Sequence, residues 1–435
     1  MAEFRLATFS ADVTIPLGHT CMGILPTPSL KIVDPLFAHG FVLLGSDKPI
    51  VLVAIDWCEI RNLAYERWRE VLAEAAGTTP ERVLVSSLHQ HDAPVTDLGV
   101  EHLLSRVGLS GAMFDYEFHE KTIQRVAEAL RDSLETAVRV THIGTGQAKV
   151  EKVASNRRVV SAEGRVSFNR GSRSGGNAAH RDAPDGEIDP WLKTLSFWNG
   201  EKPIAAVHAY ATHPMSYYGR GGVSADFVGM ARALRHRDDQ RVHQIYVSGC
   251  SGDITAGKYN DGSPANRPLL ANRLHVAMKK AWDVTKRHPL KQVDFRNAEL
   301  DLEFRKDAKY ETAALWKTLD DDKAKKRDRI LAAMALASRQ RIASGHAIDV
   351  PCVDFGTAQL VLFPGESFVG YQLMAQKMRP DSFVVSIGYG ECWPGYIPMK
   401  ASFDDNFNDV WLWVAPGSEE QMHAALQKVL PADKP

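Results

Sequence analysis

The stretch Arg82-Val83-Leu84-Val85-Ser86-Ser87-Leu88-His89-Gln90-His91-Asp92-Ala93-Pro94 passes from a β-branched, apolar run directly into a pair of histidines. Arg82–Leu88 reads as a strand. Side chains at i and i+2 of a strand end point to the same side. His89 and His91 are therefore expected to face one pocket at the mouth of a sheet, where α/β enzymes place their sites. Imidazole is a common zinc ligand, and two of them on a rigid element fix metal geometry. Taken alone, His-x-His is a weak signal and reads first as an ordinary pair of loop histidines.

Outward from this stretch the chain alternates strands and amphipathic helices. Phe41–Leu44 and Ile50–Ile55 read as strands, and Arg61–Ala76 as a helix with Trp68, Val71, Leu72 and Ala75 on one face. Tyr116–Ala137 reads as a long helix before the strand Ile143–Val150. Ile204–Tyr210, Gln244–Val247, Gln359–Phe363 and Phe383–Ile387 read as further strands, and Ala271–Thr285 as a helix. The expectation is an α/β fold, a mixed β-sheet core flanked by helices, with the site at strand ends. Residues 161–190 are rich in Gly and Arg and lack periodicity, which makes them a candidate lid or, equally, a surface insertion. Residues 308–344 form a charged helical region, a solvated packing helix or a helical pair.

Two more strand ends carry chemistry. In Tyr210-Ala211-Thr212-His213-Pro214, His213 sits where a strand gives way to a loop, while His208 lies inside the strand as a core residue. Asp226, in Val223-Ser224-Ala225-Asp226-Phe227, is expected to accept an imidazole N–H or to cap the helix that follows. In Leu362-Phe363-Pro364-Gly365-Glu366-Ser367, Glu366 follows a strand and a Pro-Gly turn, as a metal ligand or a first-turn helix residue. Together, His, His and Glu from three distant strand ends make the ligand type of an open catalytic zinc site.

The 435 residues can bury a large core, and their 52 Lys plus Arg nearly balance 53 Asp plus Glu. That balance argues against nucleic acid as a bulk partner. Five scattered cysteines, Cys21, Cys58, Cys250, Cys352 and Cys392, lack CxxC spacing and make neither a disulfide framework nor a thiolate zinc site. No apolar run reaches the length of a transmembrane helix. Met1–Thr14 shows no basic and apolar leader, so the chain as written reads as cytoplasmic, and an exported protein with a trimmed start would look the same. There is no G-x-S-x-G elbow, and Gly144-Thr145-Gly146 lacks the third glycine of a dinucleotide fingerprint.

The order of motifs resembles the catalytic domain of the neutral, non-lysosomal ceramidases. The elements that carry this are Asp12-Val13-Thr14-Ile15-Pro16-Leu17-Gly18, Asp34-Pro35-Leu36-Phe37-Ala38, a strand ending in Asp56, His89 to Pro94, and Asn156-Arg157. His213, Gly252-Asp253-Ile254-Thr255, Pro364-Gly365-Glu366 and Gly395-Tyr396-Ile397-Pro398 complete the series, which runs from about residue 8 to about residue 430. The resemblance implies one zinc ion per chain on His89, His213, Glu366 and Tyr396. It implies His91 as the group that takes the proton of the attacking water, and Arg157 as the group that polarises the scissile carbonyl. Asn156, Asp226, Asp253 and Thr255 are the expected supporting or substrate-binding residues. It also implies a single large catalytic domain over residues 1–435, without the C-terminal immunoglobulin-like domain of full-length relatives, acting on a small-molecule or lipid-like amide. A homo-oligomer remains open.

The sequence departs from the family in places. A family tyrosine that helps bind the carbonyl falls near Phe407 or Asn408, where no tyrosine stands. Thr255-Ala256 replaces a Ser-Pro, and Glu391, Cys392 and Trp393 replace a small polar run. Altered pocket walls leave an ester or lactone open as substrate. A barrel-type amidohydrolase would conscript His208 or His213, His243 and Asp253 but leave the Pro-Gly-Glu and Gly-Tyr motifs unexplained. A non-catalytic, metal-containing lipid- or sugar-binding protein is the rival from another class.

Overall fold

The structure is a computed structural model, and it describes residues 3–431. The expected mixed β-sheet core is built mainly of three sheets. The first orders Val83–Ser87, Ile50–Ile55, Phe37–Leu44, Arg5–Asp12 and Val138–Arg139. The second orders His243–Ser248, Lys202–Tyr210, Trp191–Asn199, His142–Lys149 and Lys286–Pro289. The third orders Asp294–Leu300, Ile348–Asp354, Ala358–Leu362 and Phe383–Ile387. Each sheet is mainly antiparallel and closes on one edge with a parallel pair.

The three sheets turn one face toward a common apolar centre. Phe41, Leu52 and Leu84 of the first meet Leu195, Phe197 and Ile245 of the second and Leu360, Leu362 and Val385 of the third. Strands of Val, Ile and Leu with little alternation suit burial on both faces. The outer faces are covered by helices. Asn62–Ala76 and Tyr116–Glu135 lie on the first sheet. Asp226–Asp238 and Asn266–Asp283 lie on the second. On the third lie Lys326–Ala343, Val369–Met378 and Ser418–Val429. Of the two forms open for the charged region 308–344, the structure has the helical pair, Thr312–Asp320 and Lys326–Ala343. Among the described residues, no helix is long and apolar enough to cross a membrane.

Helix ends follow local chemistry. Asp97 accepts from Gly99 N and Val100 N to start Leu98–Arg106, the usual N-cap economy of orphan donors. Gly77, with φ of 67°, ends Asn62–Ala76 in the left-handed conformation that glycine adopts without strain.

The parallel pairs position the site. Ile55, Ser87, Tyr210, Ser248, Leu362 and Ile387 are their carboxyl ends, one pair from each sheet. These ends are laced together: Gly388 N donates to Ser248 O at 2.7 Å and Ser87 N to Tyr389 O at 3.0 Å. Ser248 Oγ donates to Leu88 O at 2.9 Å, and Ser86 Oγ to Gly388 O at 2.9 Å. One hub of loops thus takes a turn from every sheet.

Candidate active site

His89, His213 and Glu366 meet in this hub, all buried. His213 Nε2 lies 2.8 Å and His89 Nε2 3.2 Å from Glu366 Oε2. His89 and His91 share the pocket as expected, with ring centroids 5.3 Å apart, but not through strand alternation. The strand ends at Ser87, and His89 has φ of 67°. Tyr389, with φ of 57°, stacks on the His89 ring at 4.4 Å. Non-glycine residues in this region cost of order 1–3 kcal/mol each and gather where function holds them.

The partners of the two imidazoles fix their tautomers. His213 Nδ1 faces Ser251 O at 2.6 Å and Ile254 O at 2.9 Å. Carbonyl oxygens only accept, so Nδ1 carries the hydrogen and the Nε2 lone pair points at Glu366. Burial, with Arg157 nearby, takes the His213 pKa down to about 4, so the ring is neutral at pH 7. His89 Nδ1 likewise faces Cys58 O at 3.2 Å, with Glu59 Oε1 at 3.7 Å. Burial opposes charge on both partners, yet the imidazoles hold the Glu366 pKa below the carboxylate range while Glu366 raises that of His89. The neutral His213 Nε2, facing a carboxylate oxygen at 2.8 Å, sets two lone pairs against each other unless a cation lies between them. The donor set of two nitrogens and an oxygen suits a divalent metal of the zinc type.

Tyr396 stands beside Glu366 by parallel register, and its ring centroid is 6.4 Å from that of His213. Its hydroxyl accepts from Arg157 Nη1 at 2.7 Å. Burial raises the Tyr396 phenol well above its usual pKa, against the pull of Arg157. The Nε of Arg157 is buried without a partner. So are both ring nitrogens of His91. Burial and the neighbouring imidazoles hold the His91 pKa well below its ordinary value. This leaves a neutral imidazole, with neither ring nitrogen engaged, beside His89, His213 and Glu366.

Three of the four expected supporting residues hold the loops together. Asn156 Nδ2 donates to Asp253 Oδ2 at 2.8 Å, and Arg157 N to Asp253 O at 2.7 Å. Asp253 Oδ1 accepts from Val369 N at 2.8 Å, past the Glu366 turn. Thr255 pairs with Ser155 across a short antiparallel ladder. Asn156, Asp253 and Thr255 thereby join the Arg157 strand to the loop whose carbonyls grip His213. Asp226 differs from expectation. Its carboxylate accepts from Ser216 N, Ser216 Oγ and Arg267 rather than from an imidazole. Backbone carbonyls already satisfy His213 Nδ1, which leaves Asp226 to brace the 213–226 loop. It is the first residue of its helix, not the cap. His208 is the satisfied core residue expected, between Thr194 Oγ1 and Gln244 Oε1 at 2.8 Å each.

The structure adds residues that the sequence did not single out. Cys58 stands with His89 and His91 in a second potential ligand cluster. Glu59, behind His89, accepts from Trp411 Nε1 at 2.8 Å and Arg61 at 3.1 Å. Tyr218 sets its ring 4.5 Å from that of His91, and Gly219 N beside it donates to Asp92 at 2.8 Å. None of these carried a motif signal; only the convergence of loops reveals them.

The 161–190 segment is pinned as a wall. Buried Arg170 donates to the carbonyls of Asn156 and His180 at 3.0 Å each. Phe168 packs edge-on against Phe407 at 5.0 Å, and Phe407 against Tyr396 at 5.5 Å. Glu391, Cys392 and Trp393 stand directly behind the Glu366 turn, where Gly365 N donates to Glu391 O at 2.9 Å. They are buried in a network where Glu391 accepts from Asn62 N and Trp393 N while Arg61 binds the carbonyls of Cys392 and Trp393.

No family model and no curated protein matches the sequence. Solved structures do match. A ceramidase complexed with C2 superposes with a TM-score of 0.69 at 14% identity, covering 99% of this chain and 75% of that one. The neutral ceramidase from Pseudomonas aeruginosa gives 0.68 at 15% identity, covering 99% and 74%. The chain has the fold of the neutral ceramidases, as the motif order implied.

Proposed function

We propose that this chain is a zinc-dependent hydrolase of an amide bond, with His89, His213, Glu366 and Tyr396 as ligands of one ion per chain. The observation that carries this is the Nε2 atoms of His89 and His213 turned onto one Glu366 oxygen, at 3.2 and 2.8 Å, beside an unpartnered His91. When bound, zinc supplies a Lewis acid that polarises a carbonyl and acidifies water. His91 takes the proton of the attacking water on a free ring nitrogen and returns it to the departing amine. Arg157, oriented by Tyr396, offers charged donors to the developing oxyanion, a task suited to a preorganised group in a dry site. Asn156 and Asp253 keep Arg157 in register with the His213 loop. The fold shared with proteins named as ceramidases supports an amide, and a lipid-like one, as the substrate.

Phe407 beside Tyr396 favours an ester or lactone as the second reading. A phenol at that position would aid carbonyl binding, and esters need less such help. The test is elemental analysis of gently purified protein and of His213→Ala, with acyl amides, esters and lactones assayed in parallel. About one zinc per chain, lost in the variant, with amide turnover supports the proposal. Absent metal with no activity regained on adding zinc overturns it, and turnover of esters alone replaces the amide by the second reading.

A further inference from the structure

A cleft of about 860 Å³ has Tyr218 in its wall. Two links tie it to the candidate active site. The Tyr218 ring meets that of His91, and Met22 in the same wall donates its backbone N–H to Ala93 O at 2.7 Å, within the turn that carries His91. The Tyr218 side chain is only partly buried, so it forms a threshold between cleft and catalytic groups.

The lining is mostly apolar, with Met22, Ile24, Leu25 and Ile330 contributing side chains. Lys326 and Arg327, in the first turn of helix Lys326–Ala343, also line it, and both are exposed. None of the described lining residues is acidic, and Asp328, next on the helix, is outside the lining. Neither Lys326 nor Arg327 has a hydrogen-bond or ion-pair partner among the described residues. Cations on such protein surfaces commonly find a carboxylate, and these two instead leave their charge to the cleft. An apolar trough needs no cation to hold a neutral chain. Two unpaired ones select by charge and steer encounter.

We propose that this cleft receives one arm of the substrate, and that the arm is an apolar chain ending in an anionic group that Lys326 and Arg327 bind. The amide of such a molecule lies past Tyr218 at His91. The class is therefore an amide amphiphile with a negative terminus, which deepens the amide-hydrolase reading and rests on it for the bond that is cut.

Binding tests the cleft without catalysis. Decane-1-sulfonate and decan-1-ol, both below micellar concentrations, are titrated into the full chain by calorimetry; a sulfonate is a poor metal ligand, so the metal site does not confound the result. The sulfonate is expected to bind about three- to tenfold more tightly than the alcohol, the size that two partly solvated cations support. The preference is expected to shrink in high salt and to invert in the Lys326→Glu/Arg327→Glu double variant. Equal binding of the two probes, or a preference that survives the double charge reversal, overturns the proposal. Hydrolysis is read beside it as the kcat/KM ratio for acyl amides with anionic and uncharged chain ends. Preferential, reversible-by-charge sulfonate binding without turnover of any amide leaves the cleft assignment standing and sinks the amide-hydrolase reading. Turnover with a ratio near one, unchanged in the double variant, sinks the anionic arm and leaves the hydrolase.

Discussion

His208 and His91 lie in regions almost equally closed to water, at 0% and 7% exposure, and the fold treats them in opposite ways. His208 sits mid-strand in the second sheet, where Thr194 and Gln244 on the two neighbouring strands satisfy both ring nitrogens. His91 sits among loops at the strand ends, where neither nitrogen has a partner. A buried polar group without a partner costs about 1–3 kcal/mol. At His208 the neighbouring strands set a partner for each ring nitrogen at fixed register, whereas the loop hub leaves both nitrogens of His91 without one among the described residues. Burial is thus common to both, and what separates them is that both nitrogens of His91 are orphaned while both of His208 are satisfied.

The sharpest way to break this contrast is at the triad. His213→Ala is expected to lose bound zinc almost entirely and activity with it, as metal per chain and turnover would show. His91→Ala is expected to keep the metal and lower kcat by about 10²- to 10⁴-fold, the range for a general base. Mild, equal effects on metal and rate in these two variants would dissolve the separation of roles. Arg157→Gln is expected to cost about 10²- to 10³-fold in kcat through the lost oxyanion donor, with circular dichroism unchanged.

His208→Leu probes the other region and is expected to act on stability alone. Burial takes the His208 pKa down to about 4, against 6.5 for an ordinary histidine. A depressed histidine favours the neutral folded state, so its contribution is present above pH 6.5 and is lost as pH falls from there to 4. That is about 3 kcal/mol. The slope of urea stability against pH in that window is expected to be shallower in His208→Leu than in the parent. Identical slopes would show that His208 does not stay neutral in the fold.

Much of the framework was legible in sequence. Ile50–Ile55 and Phe383–Ile387 have the expected bounds because short apolar runs rich in Val and Ile leave little choice. Trp191–Asn199 escaped notice because Lys193 breaks the apolar pattern, although its Nζ is buried on Val384 O at 2.8 Å. Ile348–Asp354 was hidden by Pro351, which is tolerated where its strand pairs with Asp294–Leu300 and only residues 352–354 reach the next strand.

Sequence by itself determined that His89, His213 and Glu366 stand just beyond strands, since residue type and hydrophobic runs are local properties. Tertiary structure alone decided how three sheets bring those ends together. It also decided which atoms are free. Carbonyls of Ser251 and Ile254 take the hydrogen of His213, so Asp226 is left to Ser216 and Arg267. Hydrogen-bond partners far apart in sequence follow from loop convergence, which no spacing encodes. The same holds for the cleft, where Met22, Tyr218 and Lys326 come together only because the packed helices and loops close around it.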